Sequence, residues 1–378
     1  MKNNSAPDMA VDYEQASMVA VLARISSIVE KRNTIPILSN ALIRAQGNRV
    51  EFIATDLDIE ITDSIEAEDV TMPGEITVPA KTLHDIARKL KKGAVISTSL
   101  RDGRLSIKSG RSSFELPTLP SGDFPIMTSY DYDSDFTLAS DGLKDLIDRT
   151  KFAISTEETR YYLNGIYLHV QDGKLRAVAT DGHRLAYYEI DTPAGAESMP
   201  GVIVPRKAIA EIRRLLESYP ADEDIQISIS DSKIRVKIGH MQMVSKLIDG
   251  TFPDYERVIP RNNEKVMIVD GKVFTDAVDR VATINTEKSR SISMHIKDDL
   301  LTMASKSLDA AAESSEQMNV EYNHEEMTIG FNAKYVADTF AQIDARSAEF
   351  YLDGPASPAL IKDPDNPNSM FVLMPLRV

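Results

Sequence analysis

The chain repeats itself three times, and this limits its fold more than any other feature. The stretch Thr77 to Leu90 (TVPAKTLHDIARKL) recurs as Ile203 to Leu216 (IVPRKAIAEIRRLL) and, more weakly, as Gly330 to Ile343 (GFNAKYVADTFAQI). Other landmarks keep step: Ala54-Thr55-Asp56 returns as Ala179-Thr180-Asp181, and Phe124-Pro125 as Phe252-Pro253. The period of about 125 to 128 residues is one ordinary domain, so 378 residues divide into three like modules. Boundaries are expected at 1–134, 135–263 and 264–378.

Within each module an amphipathic helix comes first, at about 14–31, 141–154 and 271–285, and a second follows the Val-Pro or Phe-Asn signal, a normal place for proline at a helix start. Between the helices, Arg104–Lys108, Ile225–Ser230 and Ile234–Ile238 alternate apolar and polar residues, as strands with one buried face do. Gln46-Gly47-Asn48, Arg101-Asp102-Gly103 and Gln171-Asp172-Gly173 are turn signals that join such strands into hairpins. The fold class is therefore α+β: three repeated domains, each with two helices packed on antiparallel sheet.

Net charge is −15, from 43 basic and 58 acidic residues, which by itself argues against a nucleic-acid coat. Its distribution says otherwise. From Lys81 to Lys92 five basic residues face one acid, Asp85. At helical spacing Leu83, Ile86, Ala87 and Leu90 share one face, while Lys81, Arg88 and Lys92 share the other. The matching helix of the second module buries Ile209, Ile212 and Leu216 and presents Arg206, Lys207, Arg213 and Arg214. The first helices expose Arg24 and Lys31, and Lys144 and Lys151. Basic residues on a solvated helix face are commonly only solubilising, but here they recur at equivalent repeat positions. Were these helices to line a hole, a basic pore in an acidic body would hold DNA by phosphate contacts without sequence preference. The third module departs, pairing Lys272 and Arg280 with Asp276 and Asp279, and Lys334 and Arg346 with Asp338 and Asp344, so its share of a pore is expected to be nearly neutral.

Taken together, Thr34–Asn40 (TIPILSN), Ser109–Phe114 (SGRSSF), Leu119–Pro125 (LPSGDFP), Arg160–Gly165 (RYYLNG), Ala179–Leu185 (ATDGHRL), Phe252–Tyr255 (FPDY) and Met374–Val378 (MPLRV) closely resemble the bacterial beta sliding clamps, in that family's order. The resemblance runs from about Ala10 to the end. It implies a non-catalytic processivity subunit: a head-to-tail homodimeric ring of six similar domains around duplex DNA, helices inside and sheets outside. Family interface positions fall on Phe114, Leu116 and Ile284, apolar residues expected to be exposed in a single chain. DNA contacts fall on Arg32 beside the first helix and on Lys81, Arg206 and Lys207, whereas Glu157 stands where a neutral contact is usual.

The resemblance also implies a groove between the second and third modules for linear peptides of the polymerase III alpha subunit, the clamp loader, other DNA polymerases, and mismatch-repair and ligase proteins. Carried over by position, it comprises Arg160, Leu163, Thr180, Gly182, His183, Arg184, Leu185, Pro253, Arg257, Val258, Val372, Leu373, Met374, Pro375, Leu376 and Arg377. Leucines, Val258 and an adaptable Met374 would form its floor, and Arg184 and Arg377 would pin polar peptide groups. Pro358 stands near where the family offers a small polar residue.

Catalytic readings fare poorly. Asp181-Gly182-His183-Arg184, with Asp56 and Asp58 in the matching loop, offers an acid and a base but no activated nucleophile, and there is no cysteine. Asp181 reads as a turn residue. The six histidines, His84, His169, His183, His240, His295 and His324, lack metal-ligand spacing, and no phosphate-binding or dinucleotide glycine pattern occurs. No cofactor and no metal are expected. A polar start, Met1 to Pro7, the lack of cysteine and the absence of any long apolar stretch fit a cytoplasmic protein away from membranes. The competing classes are a hydrolase at Asp181 and His183 and a plain three-repeat scaffold.

Overall fold

In the computed structural model, residues 8–30, 34–127, 131–286, 290–307 and 311–377 are described. Each hairpin signal closes an antiparallel pair. Asp102 and Gly103, and likewise Asp172 and Gly173, take the left-handed φ that a two-residue turn needs, +49° and +70°, and +54° and +74°. Among the described residues six α-helices run over Gln15–Ile25 (α1), Ala80–Lys89 (α2), Ser140–Asp148 (α3), Arg206–Leu216 (α4), Gly271–Ala282 (α5) and Ala333–Phe340 (α6).

The chain divides into two compact units, and each takes part of the middle repeat: 1–140 with 210–247, and 141–209 with 248–378. In the first unit a five-stranded sheet orders Asp69–Met72, Met9–Glu14, Val95–Arg101, Arg104–Ser109 and Ser112–Pro117. An eight-stranded sheet carries strands of two repeats, joined where Met241–Lys246 pairs with Ile59–Glu66, Gln242 opposite Thr62 and Ser245 opposite Ile59. α1 packs on α2, burying Met18, Val21, Leu22 and Ile25 against Leu83 and Ala87, and Gln15 Nε2 donates to the Ala87 carbonyl at 2.9 Å.

The second unit repeats the plan. Its eight-stranded sheet is joined where Arg184–Asp191 pairs with Asn366–Leu373, and a four-stranded sheet orders Ala312–Asn319, Leu300–Ser307, Ser291–Lys297 and Met327–Asn332. α5 packs on α6 through Phe274 and Phe340, ring centroids 4.5 Å apart, with Phe350 beneath.

The helices are shorter than the periodicity implies. α1 stops at Ile25, where the Ser26 hydroxyl donates to the Leu22 carbonyl, although Ile28 and Val29 remain buried beyond it. α3 gives way at Thr150, whose hydroxyl donates to the Leu146 carbonyl at 2.6 Å, to a 3₁₀ turn Lys151–Ala153. α2 ends at Lys89 because Leu90 is extended, so Lys92 is not on the helix but in the turn closed by Gly93 at φ +72°. Among the described residues no helix is long and apolar enough to cross a membrane.

Candidate functional site

The loop between Lys174–Thr180 and Arg184–Asp191 is fixed by its own side chains. The Thr180 hydroxyl donates to the Arg184 carbonyl at 2.7 Å and accepts from Gly182 N–H at 3.1 Å, while Asp181 Oδ1 accepts from the N–H groups of His183 and Arg184 at 2.9 and 3.0 Å. Asp181 is thus the turn residue its sequence context suggests. Gly182 sits at φ +87°, a left-handed backbone that glycine adopts without strain.

Arg184 begins the next strand and turns inward, only 8% exposed. Its Nε donates to Asp181 at 3.1 Å, Nη1 to Asp338 of α6 at 2.7 Å, and Nη2 to the Phe152 carbonyl at 2.6 Å. The guanidinium also lies over the Tyr335 and Phe152 rings, at 4.4 and 5.1 Å. The guanidinium is thus anchored inside the unit, tying α6 to the loop after α3, with three of its five N–H donors engaged there.

Beside this loop the C-terminal segment crosses the strand end, Met374 N–H donating to the His183 carbonyl at 2.9 Å and Leu376 N–H to the Gly330 carbonyl at 2.8 Å. An apolar cluster lies beneath, with Leu163, Leu185, Phe252, Tyr255, Leu360 and Val372 at its centre. Leu373 is buried too, whereas Val258 and Leu376 are 42% and 39% exposed, with Pro253 also exposed. Met374 and Pro375 are half-buried, and His183 stacks on Tyr335. Basic groups surround the rim: Arg160 paired with Glu157 at 2.7 Å, Arg257 paired with Asp254 at 2.7 Å, and exposed Arg377. All sixteen groove positions carried over from the resemblance fall in this one unit. Pro358 is nearby in sequence to Leu360, and its carbonyl accepts from Asn263 Nδ2 at 2.8 Å.

Sequence reasoning missed the aromatic support of this surface. Tyr167 stacks between Phe252 and His169, at 4.9 and 4.7 Å, and His169 Nε2 meets the Tyr255 hydroxyl at 2.9 Å. Burial, helped by Arg176, holds the His169 imidazole down to about 4, and burial pushes the Tyr255 hydroxyl up to about 12. Tyr161, 53% exposed, was also missed, though it stands within the Arg-Tyr-Tyr-Leu motif that marked its neighbours.

The basic positions divide. Arg24 is turned inward, Nε 2.5 Å from the buried Asp63 carboxylate, and its carbonyl accepts from Arg214 at 2.9 Å. Arg88 pairs with Asp85 at 3.0 Å, Lys151 with Asp148, and Arg213 with Glu217 at 3.3 Å. Arg206 and Lys207 are exposed at the start of α4. Lys81, Lys89, Lys91 and Lys92 enter no ion pair among the described residues. Arg32 lies outside the described residues. Of the interface positions, Phe114 is 37% exposed on the edge strand Ser112–Pro117 and Ile284 is half-buried, but Leu116 is 8% exposed, opposite Leu105, so its expected exposure in a single chain is corrected. Among the described residues no group of acids and histidines is arranged to hold a metal ion.

Comparison with known proteins accounts for nearly all of the chain. Family models for the N-terminal, central and C-terminal domains of the DNA polymerase III beta subunit match residues 9–128, 137–254 and 256–377. The chain is 51% identical to the beta sliding clamp of Caulobacter vibrioides over 376 residues, 98% of this chain and 100% of that protein, and 38% identical to that of Pseudomonas aeruginosa over 370 residues, again 98% and 100%. Among solved structures, the DnaN sliding clamp of Bartonella birtlesii bound to griselimycin superposes with a TM-score of 0.95 at 43% identity, covering 98% of this chain and 100% of that one. A Caulobacter crescentus beta sliding clamp, with PEG bound to its putative beta-motif tethering region, gives 0.94 at 50%, with the same coverage. Three clamp domains, each matched in order along nearly all of its length, make this chain a member of the DNA polymerase III beta subunit family, the beta sliding clamps, which are processivity factors without catalytic activity.

Proposed function

We propose that two copies of this chain, each of three domains bounded near 134 and 263, close head to tail into a ring around duplex DNA and tether a DNA polymerase to it in the cytoplasm. The observation that carries the reading is a basic cluster that enters no ion pair among the described residues of an acidic chain: Lys81, Lys89, Lys91 and Lys92. With Arg206 and Lys207 these lysines are the phosphate contacts of the proposal, and Arg32 adds to them. Arg24, Arg88, Lys151 and Arg213 contribute less, their charges being engaged by carboxylates. Phe114 and Ile284 meet across the proposed interface.

The surface of Val258, Leu376, Pro253 and Met374 over the Leu163 and Leu185 cluster is the proposed tethering groove. Its occupants are linear peptides of the polymerase alpha subunit, the clamp loader, other polymerases, and mismatch-repair and ligase proteins, taken in turn by one apolar floor with a basic rim. The PEG-bound tethering region of the C. crescentus relative supports an adaptable apolar site of this kind.

The test is retention on nicked circular duplex with loader and ATP. A ring stays on the circle and is shed once the DNA is cut to a linear form. Retention independent of topology overturns the reading. For the groove, Val258→Asp or deletion from Met374 onward is expected to abolish polymerase stimulation while the dimer persists in sedimentation, and unimpaired processive synthesis would remove the assignment.

A further inference from the structure

The turn that borders the proposed groove is built a second time in the first unit. The Thr55 hydroxyl donates to the Ile59 carbonyl at 2.8 Å and accepts from Leu57 N–H at 3.0 Å, and Asp56 Oδ1 accepts from the N–H groups of Asp58 and Ile59 at 2.9 and 2.7 Å. Lys246 N–H donates to the Asp58 carbonyl at 2.9 Å, as Met374 N–H does to that of His183. Bond for bond this is the Thr180–Arg184 loop, with an apolar cluster of Ile37, Leu38, Leu42, Ile53 and Phe124 alongside.

The side chains on this frame differ. Leu57 occupies the place of Gly182 and adopts φ +80°, a backbone region that L side chains avoid, while remaining 39% exposed. Ile35 stands one repeat period before Arg160, and Ile126 before Asp254; they are 46% and 41% exposed, and Leu119, bridged to Thr77 in the same unit, is 38% exposed. A folding chain gains nothing from a leucine held in that conformation and left in water, so the strain points to a use. Two exposed acids border the patch: Glu30, whose carbonyl lies by Ser39 of the Pro36–Ser39 turn, and Asp123 just ahead of Phe124, while Asp58 offsets Lys246. The nearby cation Lys246 is already engaged by Asp58 at 3.1 Å.

We infer that this face of the first unit, anchored by Leu57, Ile35, Leu119 and Ile126, is a second peptide-docking surface, whose partner is a segment bearing bulky apolar side chains flanked by lysine or arginine. It goes beyond the clamp reading, because the proposed groove carries the exposed Arg377, with Arg160 and Arg257 already paired to acids, whereas this surface carries the exposed acids Glu30 and Asp123. The two therefore select different partners and can be occupied together.

Fluorescence anisotropy on the full-length protein tests it with two labelled peptide pools. Both carry two or three leucine or phenylalanine anchors; one has basic flanks and the other glutamate flanks. Leu57→Gly suits the turn and removes only the anchor, Ile126→Asp alters a separate segment of the same face, and Val258→Asp disables the proposed groove. The basic pool is expected to bind the unaltered protein, to weaken about tenfold in Leu57→Gly and in Ile126→Asp, and to be unchanged in Val258→Asp. Absence of binding, equal binding of the two pools, or a loss confined to Val258→Asp overturns the inference. So does a change of particle mass in Leu57→Gly, which would make a second copy of the chain the occupant.

Discussion

The helix pair of the first repeat and that of the third are built on one plan and charged differently. Beside α1 and α2, Lys81, Lys89, Lys91 and Lys92 have no carboxylate partner among the described residues. On α5 and α6, Lys272 pairs with Asp276 at 2.8 Å, Arg280 with Glu316 at 2.5 Å and Lys334 with Asp338 at 3.0 Å. The contrast extends to the sheets. Arg184 heads its strand as a buried hub, while the residue one period earlier, Ile59, is apolar and 1% exposed. The second unit spends cations on holding itself together, and the first keeps a cluster of them for something else. Equivalent backbone positions thus carry unequal duties, which an averaged net charge of −15 conceals.

The harshest way to break this contrast is to remove the hub. Arg184→Met leaves Asp181 and Asp338 without their cation and is expected to destabilise the second unit by about 3 kcal/mol in denaturant unfolding. A loss below about 1 kcal/mol would show that the network carries little. Gly182→Ala comes next, at about 1 to 2 kcal/mol, because the new methyl would sit on a left-handed backbone.

Acid should separate the units more gently. His169 titrates near 4 when folded and near its ordinary 6.5 when unfolded, so the unfolded chain binds more protons between these values. Stability is therefore expected to fall as pH drops from 6.5 towards 4, and His169→Phe should flatten that dependence in pH-stepped unfolding. The smallest effect belongs to exposed helix pairs: Lys272→Gln with Lys334→Gln should change stability by less than about 0.5 kcal/mol each, as surface pairs do.

Much of this was legible in the chain. The repeat, the hairpins and the Asp181 turn follow from local signals, since turn chemistry and period-two alternation act over a few residues. The groove positions were reached by resemblance, and the floor residues Leu163 and Leu185 lie where an apolar floor requires burial. The inward turn of Arg184 was not legible, because Phe152 and Asp338, its partners, stand 32 and 154 residues away in sequence. Nor was the early end of α2. Leu90 continues the apolar face at helical spacing, and only its extended backbone shows that Lys91 and Lys92 leave the helix. The left-handed backbone of Leu57 was not legible either, because a φ angle leaves no mark on composition.

The salt dependence of DNA association tests the central contrast most directly. Replacing Lys81, Lys89, Lys91 and Lys92 together by glutamine should lower the slope of log K against log salt by about 3 to 4, whereas replacing Lys272, Arg280 and Lys334 should lower it by less than about 1. Equal losses from the two sets, or a larger loss from the second, would contradict the division of duties between the first and third repeats.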